Sequence, residues 1–309
     1  MRGRWNAATG CASAALLRKR NERHIGCPHL NYMVKSGILE EYRMLPKVRG
    51  ETTMGLLLEG KNILVMGVAN DRSIAWAIAQ ALAGQGARLA FTYESERVEE
   101  RVRKLAETIP NSLILPCNVT VDAEIDTLAA ALQENFGVLH GYVHSIAFAR
   151  TEELEGLYVD TSRDGFALAH DISAYSLTAV AKRVYPLMTE GGSIMTMTYL
   201  GAERAMKNYN VMGIAKAALE ASIRYLANDL GQYNIRVNGI SAGPIRTLAA
   251  KGIKDFNSIL RQVEEKAPLR RTTDTAEVGD TAMFLMSNLS RGITGEVIHV
   301  DNGYHIIGV

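Results

Sequence analysis

From Met54 onwards, the chain alternates short apolar runs with amphipathic stretches, and this alternation constrains its fold more than any other feature. Short apolar runs bounded by turn residues are typical of buried strands, whereas apolar residues at helical spacing indicate helices. We predict strands over residues 62–66, 88–93, 113–119, 141–146, 193–198, 235–240 and 297–300. We predict helices over residues 73–83, 94–108, 122–136, 172–188, 209–231 and 276–287, the third with Asp122 as its N-cap.

Seven β/α repeats without a hairpin signal predict one α/β domain of the Rossmann type. Its parallel, seven-stranded sheet would be doubly wound, with helices covering both faces. Open sheets of this kind bind ligands outside the carboxyl ends of their strands. The segment 246–266 follows the sixth strand and is longer than a plain connection requires, so we predict a helical lid over the substrate there.

The composition excludes several classes of protein. The 309 residues are 47% hydrophobic and 22% charged, which is enough apolar material for a large core. The net charge of +1 argues against an extended surface that binds nucleic acid. The apolar stretches are too short to span a bilayer, so we predict no membrane partner. The three cysteines, Cys11, Cys27 and Cys117, show no disulfide or zinc pattern, so we predict no metal and a reducing compartment, the cytoplasm.

Residues 1–53 form a basic leader with ten Lys or Arg and four Glu, a net charge of +6. Because the whole chain carries +1, residues 54–309 carry −5. The leader fits a transit peptide in part, but its broken apolar run fits a secretory signal peptide poorly. Since ordered patterning starts abruptly at Met54, we predict that the leader is disordered or that Met54 is the real start, with 54–309 as the single folded domain.

Motifs at three strand ends predict a dinucleotide site. GVANDRSIA (67–75) follows the first strand, where small residues let the backbone approach a pyrophosphate at a helix N-terminus, although a plain tight turn is an alternative. Glu94, after the second strand, can accept both ribose hydroxyls of NAD and repel the 2′-phosphate of NADP. It can equally be a solvated residue of the next helix, and Arg97 keeps NADPH possible. Asn118, after the third strand, is placed to meet an adenine edge.

Two further motifs extend the predicted site. In HSIAFA (144–149), Ser145, Ile146 and Ala147 would line the cofactor, whereas Phe148 and Ala149 would line the substrate pocket. In SAGPIRTLAA (241–250), the Gly-Pro pair fixes a sharp turn after the sixth strand. The residues after this turn can then reach the nicotinamide carboxamide.

The most specific pattern is TYLGAERAMKNYNVMGIAK (198–216), which places a tyrosine and a lysine on one helix face. Tyr209 and Lys216 are seven residues, or two helical turns, apart, and Tyr199 precedes Tyr209 by ten residues. A phenol can donate a hydrogen bond to an oxygen that gains charge during a reaction. A lysine on the same face can hold the nicotinamide ribose.

Through these motifs, together with HVDNGYH near its end, the chain from Met54 to Val309 resembles the bacterial enoyl-[acyl-carrier-protein] reductases of the short-chain dehydrogenase superfamily. The resemblance implies NADH- or NADPH-dependent reduction of trans-2-enoyl thioesters on acyl carrier protein, the last reductive step of fatty-acid elongation. It implies that Tyr209 hydrogen-bonds the thioester oxygen, that Lys216 binds the ribose, and that Tyr199 is a second catalytic tyrosine. The acidic Glu94 favours NADH.

The resemblance also implies the other contacts. Around the cofactor it places Gly67, Ser73, Ile74, Glu94, Asn118, Val119, Ile146, Lys216, Ile245, Arg246, Thr247, Leu248 and Ala249. Around the acyl chain it places Ala149, Met212, Ala249, Ile253 and Phe256. It implies a homotetramer, with apolar contacts from Ala217, Leu219, Ile223, Leu226 and the tail GYHIIGV, although these residues can equally form an ordinary core face. The basic patch that docks the carrier protein is matched at Lys254, but Asn257 and Ser258 are neutral.

Two other functions are open. A carbonyl reductase of the same fold would carry Tyr-xxx-Lys, but none of the twelve tyrosines has a lysine four residues on. A non-catalytic NAD-sensing module would have no need of Tyr199, Tyr209 and Lys216.

Overall fold

The structure, a computed structural model, describes residues 56–247, 250 and 255–308. Its strands are β1 (Asn62–Met66), β2 (Arg88–Tyr93), β3 (Leu113–Pro116), β4 (Gly141–His144), β5 (Gly192–Thr198), β6 (Ile235–Ala242) and β7 (Val297–Val300). All pair in parallel, in the order β3-β2-β1-β4-β5-β6-β7. The predicted Rossmann-type sheet is confirmed, and its strand order reverses between β1 and β4.

Helices follow the strands. The α-helices of the described residues are α1 (Ile74–Gly84), α2 (Glu96–Ala106), α3 (Asp122–Phe136), α4 (Arg163–His170), α5 (Ser176–Val184), α6 (Asn210–Leu230), α7 (Phe256–Lys266) and α8 (Thr275–Met286). The helix α7 lies in the segment predicted to be a lid. No helix of the described residues is long and apolar enough to cross a membrane.

Both faces of the sheet are covered. One core cluster joins the sheet to α1, α2 and α8, and a second joins it to α3, α5 and α6. Neighbouring strand residues point to opposite clusters, Leu64 to the second and Val65 to the first, so the strands are apolar on both sides. Leu219 and Ile223 are completely buried in the second cluster. These two residues therefore form part of an ordinary core face, which is the alternative to the predicted subunit contacts.

Both predicted ends of the helix over residues 172–188 are wrong, since the helical region runs from α4 to α5. It begins with α4, where the Ser162 hydroxyl accepts a hydrogen bond from the N–H of Gly165 at 3.0 Å. A π turn, Asp171–Tyr175, joins α4 to α5. The helix ends with α5, just before a short 3-10 turn that contains Pro186, because proline cannot supply the N–H that a helix interior needs.

Smaller differences affect the ends of other elements. Asp122 is not an N-cap, because Val121 occupies that position and Asp122 is the first helical residue. Its carboxylate still faces the positive end of the helix dipole. The strands β3 and β4 end earlier than predicted, which leaves Asn118 and Ile146 in loops. The predicted leader, 1–53, and Met54 lie outside the described residues.

Tyr142 on β4 carries a polar group that the core does not satisfy. Its hydroxyl is buried and has no hydrogen-bond partner among the described residues. We expect Tyr142→Phe to raise the free energy of unfolding by about 1 kcal/mol, because it removes an unpaired buried hydroxyl. Urea unfolding measures this, with the half-exposed Tyr233→Phe as the control. A less stable Tyr142→Phe variant would instead show that an ordered water serves the hydroxyl.

Candidate active site

Several of the predicted site residues lie at the carboxyl edge of the sheet, where β1 and β4 are neighbours. Met66 pairs with His144 in the last register of these strands, and Gly67 follows directly. Gly67 has φ +96°, and a Cβ on it would lie 2.0 Å from the carbonyl oxygen of Ser145. Only glycine allows this backbone conformation and this close approach. The first glycine of the predicted pyrophosphate loop is therefore required by the fold itself.

The N-terminus of α1 fits a phosphate group. Ser73 occupies the N-cap, but its hydroxyl donates to Asn70 O at 2.7 Å and does not cap the helix. The N–H groups of Trp76 and Ala77 bind the carbonyl of Ser73. The N–H groups of the first two helical residues, Ile74 and Ala75, have no acceptor among the described residues. They can bind an anion together with the positive end of the helix dipole.

Lys216 is a buried cation on α6. Its side chain is 5% exposed, and Nζ donates to Met197 O at 2.8 Å, near the end of β5. Burial lowers the pKa of Lys216 to about 8, and the neighbouring Glu220 partly opposes this effect. At pH 7 the ammonium is therefore charged. It has three protons and uses one for Met197, so the others suit the hydroxyls of a ribose.

Tyr199 and Tyr209 pack against each other beside this lysine's helix. Their ring centroids are 5.1 Å apart, and the ring planes meet at 69°. A Cβ on Gly201 would lie 2.5 Å from Cδ1 of Tyr209, so the chain before Tyr209 fixes the ring closely. Burial raises the pKa of Tyr199 to about 12 and that of Tyr209 further. Both phenols are therefore protonated hydrogen-bond donors at neutral pH.

Tyr209 is the N-cap of α6. The predicted helix over residues 209–231, which includes Tyr209 in its first turn, therefore begins one residue too early. Its ring packs against a small apolar cluster that includes Met212, and Ala149 packs against the same cluster. Three of the predicted substrate and catalytic residues are thus brought together. The other members of this cluster are Leu154, Ala169, Val211 and Ala215.

The sequence analysis missed a buried polar network around His144, the last residue of β4. His144, completely buried, bonds Ser176 Oγ through Nε2 at 2.7 Å and Thr196 Oγ1 through Nδ1 at 2.9 Å. Because Ser176 donates its own proton to Ile172 O, His144 carries its proton on Nε2 and accepts from Thr196. Burial, and next the charge of Lys216, lower the pKa of His144 to about 3, so it stays neutral.

Glu220 is a second buried polar residue that the sequence analysis missed. It lies four residues after Lys216, and its carboxylate accepts a hydrogen bond from the hydroxyl of Thr198 at 2.6 Å. Burial raises the pKa of Glu220. The four-residue spacing from Lys216 was visible in the sequence, since residues at this spacing are neighbours on a helix.

The remaining cofactor residues are less closely placed. Glu94 is exposed directly after β2, and Ile146 packs on the second core cluster. Asn118 is already engaged: its N–H donates to Glu124 at 2.7 Å, and its side-chain oxygen accepts from Thr120. This leaves Asn118 fewer free groups for an adenine edge than we had expected. Val119 also packs on the second cluster.

A cleft of about 850 Å³ separates the 70–72 loop from α7. Arg246, Thr247 and Phe256 line it, and the guanidinium of Arg246 donates to Asn257 Oδ1 at 2.6 Å. Ile245 packs against the first core cluster. The predicted residues Leu248, Ala249, Ile253 and Lys254 lie outside the described residues. The described part of the chain also holds no group of three His, Cys, Asp or Glu side chains that could bind a metal.

Comparison with known proteins decides the family. A model of the family described as Enoyl-(Acyl carrier protein) reductase matches residues 67–305. This chain belongs to that family. It is 66% identical over 255 residues to enoyl-[acyl-carrier-protein] reductase [NADH] of Bacillus subtilis, a match that covers 82% of this chain and 99% of the relative.

Two further comparisons agree with this membership. The chain is 53% identical over 254 residues to enoyl-[acyl-carrier-protein] reductase [NADPH] of Staphylococcus aureus strain MRSA252, which covers 82% of this chain and 99% of the relative. A crystal structure of the Bacillus cereus enoyl-acyl carrier protein reductase, with NADP+ and indole naphthyridinone, has a TM-score of 0.81 at 63% identity. That match covers 82% of this chain and 99% of the other.

Proposed function

We propose that this enzyme reduces trans-2-enoyl thioesters on acyl carrier protein to saturated acyl thioesters, with NADH as the reductant, in fatty-acid elongation. The observation that carries the proposal is the placement of Tyr209, Tyr199 and Lys216 at the carboxyl edge of a dinucleotide-type sheet. The seven-residue spacing from Tyr209 to Lys216 replaces the four-residue spacing of carbonyl reductases. Membership of the enoyl reductase family supports the same reaction.

NADH is the proposed cofactor because the residues fit it. The uncapped N-terminus of α1 suits the pyrophosphate, Lys216 suits the nicotinamide ribose, and Glu94 suits the adenine ribose hydroxyls. When bound, NADH supplies the hydride that the β-carbon of the enoyl thioester accepts. The Bacillus subtilis relative is named for NADH and the Staphylococcus aureus relative for NADPH. The acidic Glu94 leads us to choose NADH for this chain.

Tyr209 is the proposed hydrogen-bond donor to the thioester oxygen, which gains negative charge during the reduction. Its raised pKa keeps the phenol protonated, and burial strengthens the bond by excluding water. Lys216, held by Met197, adds a fixed positive charge near the same edge. Tyr199 packs its ring against that of Tyr209 and orients it. His144 stays neutral, so we give it no acid role.

The substrate pocket, partners and location complete the proposal. Ala149 and Met212 would contact the acyl chain beside Tyr209, and Phe256 and Ile253 would do so from the lid. Acyl carrier protein would dock near the lid. We also propose a homotetramer and a cytoplasmic location, the latter on the basis of the sparse cysteines. That residues 1–53 are disordered, or that Met54 is the real start, stays a prediction. The intact mass of the purified native protein tests whether the chain starts at Met54.

The test follows the absorbance of NADH during its oxidation in the presence of a crotonyl thioester. The assay is then repeated with NADPH in place of NADH. We expect the wild type to oxidise NADH only when the enoyl thioester is present. Tyr209→Phe should lower kcat/KM about 100-fold, because it removes one positioned donor to a developing negative charge. Tyr225→Phe is the matched control, since the Tyr225 side chain lies on the same helix and is 75% exposed.

Two outcomes would contradict the proposal. Turnover of a 3-oxoacyl thioester but not of an enoyl thioester would identify a carbonyl reductase. Binding of NADH without turnover of either substrate would identify a sensing module.

A further inference from the structure

The π turn between α4 and α5 presents a serine to the segment that follows β4, and the proposed reaction does not use this serine. Ser173 is completely buried. Its hydroxyl accepts a hydrogen bond from Phe148 N at 2.9 Å and donates one to Phe148 O at 3.0 Å. One side chain therefore satisfies both backbone groups of a single residue in another part of the chain.

Side-chain packing holds Ile146 and Ala149 in this segment, but few hydrogen bonds hold its backbone. Residues 145–150 belong to no helix or strand, so they have no regular hydrogen-bond ladder. The Phe148 side chain is 49% exposed, so its burial anchors the loop only weakly. Among the described residues, Ser173 provides the only hydrogen bonds to residues 146–149. The hydrogen bonding of the Phe148 backbone thus depends on one hydroxyl group.

The next residue, Ala149, forms part of the active site. It packs on the same apolar cluster as Met212 and the ring of Tyr209. A displacement of the Phe148 backbone would move Ala149 against its neighbours in this cluster. It would change the shape of the pocket beside the phenol and leave Lys216, which is anchored separately on Met197 O of β5, in place.

A second serine, at the start of α5, holds the other end of the segment. Ser176, the first residue of α5, lies three residues after Ser173, and both hydroxyls bond the chain at or just after the end of β4. The Ser176 hydroxyl bonds His144, the last residue of β4. The two serines hold the chain before and after residues 145–147. The π turn lies between α4 and α5 at this point, and such turns are frequent at functional sites.

We propose that Ser173 is a positioning residue that sets acyl-chain selectivity. Through both backbone groups of Phe148 it fixes Ala149 as a wall of the acyl pocket beside Tyr209. This inference rests on the proposed reductase function and adds a residue that determines which enoyl thioesters the site accepts.

The test compares Ser173→Ala with Ser193→Ala by steady-state kinetics. Ser193 is also completely buried, and its hydroxyl also donates to a distant backbone carbonyl, that of Leu285, at 2.9 Å. It lies at the start of β5, whereas the active site lies at the strand's other end. Ser193→Ala therefore matches the loss of a buried hydroxyl without touching the pocket.

For Ser173→Ala we expect KM for a crotonyl thioester to rise about tenfold, because a small displacement of a positioning group weakens substrate alignment. The ratio of kcat/KM between crotonyl and trans-2-dodecenoyl thioesters should also change. KM for NADH should stay within about twofold of the wild-type value. Ser193→Ala should leave the crotonyl KM and the chain-length ratio unchanged. Ser173→Cys, which keeps a weak donor and acceptor, should fall between wild type and Ser173→Ala and carries the test if the alanine variant does not fold.

Three results would overturn the inference. A Ser173→Ala enzyme with the wild-type KM and chain-length ratio would show that Phe148 does not depend on the hydroxyl. An equal shift in Ser193→Ala would show a general effect of lost stability. A wild type that reduces no enoyl thioester would overturn the proposed function first, and this inference with it.

Discussion

The Lys216→Met variant should fold and lose nearly all reductase activity, with kcat/KM about 1,000-fold below that of the wild type. Methionine has a similar length and fills the buried site, but it cannot donate to Met197 O or to a ribose. It also removes the positive charge that favours the developing oxyanion. The exposed Lys182→Met variant is the matched control and should keep wild-type activity. A Lys216→Met enzyme with a tenth of wild-type activity or more would contradict the assigned role.

The lowered pKa of Lys216 leads us to expect that both the activity and the stability of the protein depend on pH. Because burial lowers the pKa of Lys216 to about 8, wild-type activity should fall as the pH rises through about 8 and the ammonium loses its proton. The unfolded chain keeps the lysine protonated up to its ordinary pKa of 10.5. Between these values the unfolded state binds more protons, so this group makes the folded state more stable as pH rises. Lys216→Met should lack both dependences.

The strands were largely predictable because each face of this sheet is apolar. A strand that is buried on both sides must be a short, largely apolar run, and β1 and β2 have the bounds that such runs predict. The helix α4 was missed because its sequence, RDGFALAH, has few apolar residues at helical spacing. The π turn was missed because one inserted residue leaves no mark in the hydrophobic pattern.

The active site was predictable where its residues lie close in sequence. Tyr209 and Lys216 share one motif, so their spacing alone predicts that they serve one site. The network around His144 was not predictable in this way, because Ser176 and Thr196 are 32 and 52 residues away. Neither partner has a chemistry that distinguishes it from other serines and threonines. Only the fold brings these three side chains to one place.

The Gly67→Ala variant should be less stable than the wild type by about 3–5 kcal/mol and should bind no NADH. A positive φ strains any residue with a Cβ, and this Cβ would also meet the Ser145 carbonyl oxygen at 2.0 Å. A backbone atom cannot move away by changing rotamer, so the ends of β1 and β4 must separate. These ends form the crevice in which the cofactor is proposed to bind, so we expect binding and stability to fail together.

Gly60→Ala separates the two causes. Gly60 also has a positive φ, +73°, but nothing lies within 4 Å of the position of its Cβ. Its substitution should therefore lower the free energy of unfolding by only about 1–2 kcal/mol and leave NADH binding intact. Urea unfolding and NADH fluorescence titration measure both quantities. If Gly67→Ala unfolds at the same urea concentration as Gly60→Ala, backbone strain alone explains the loss. The contact between Gly67 and Ser145 would then not be what requires glycine after β1.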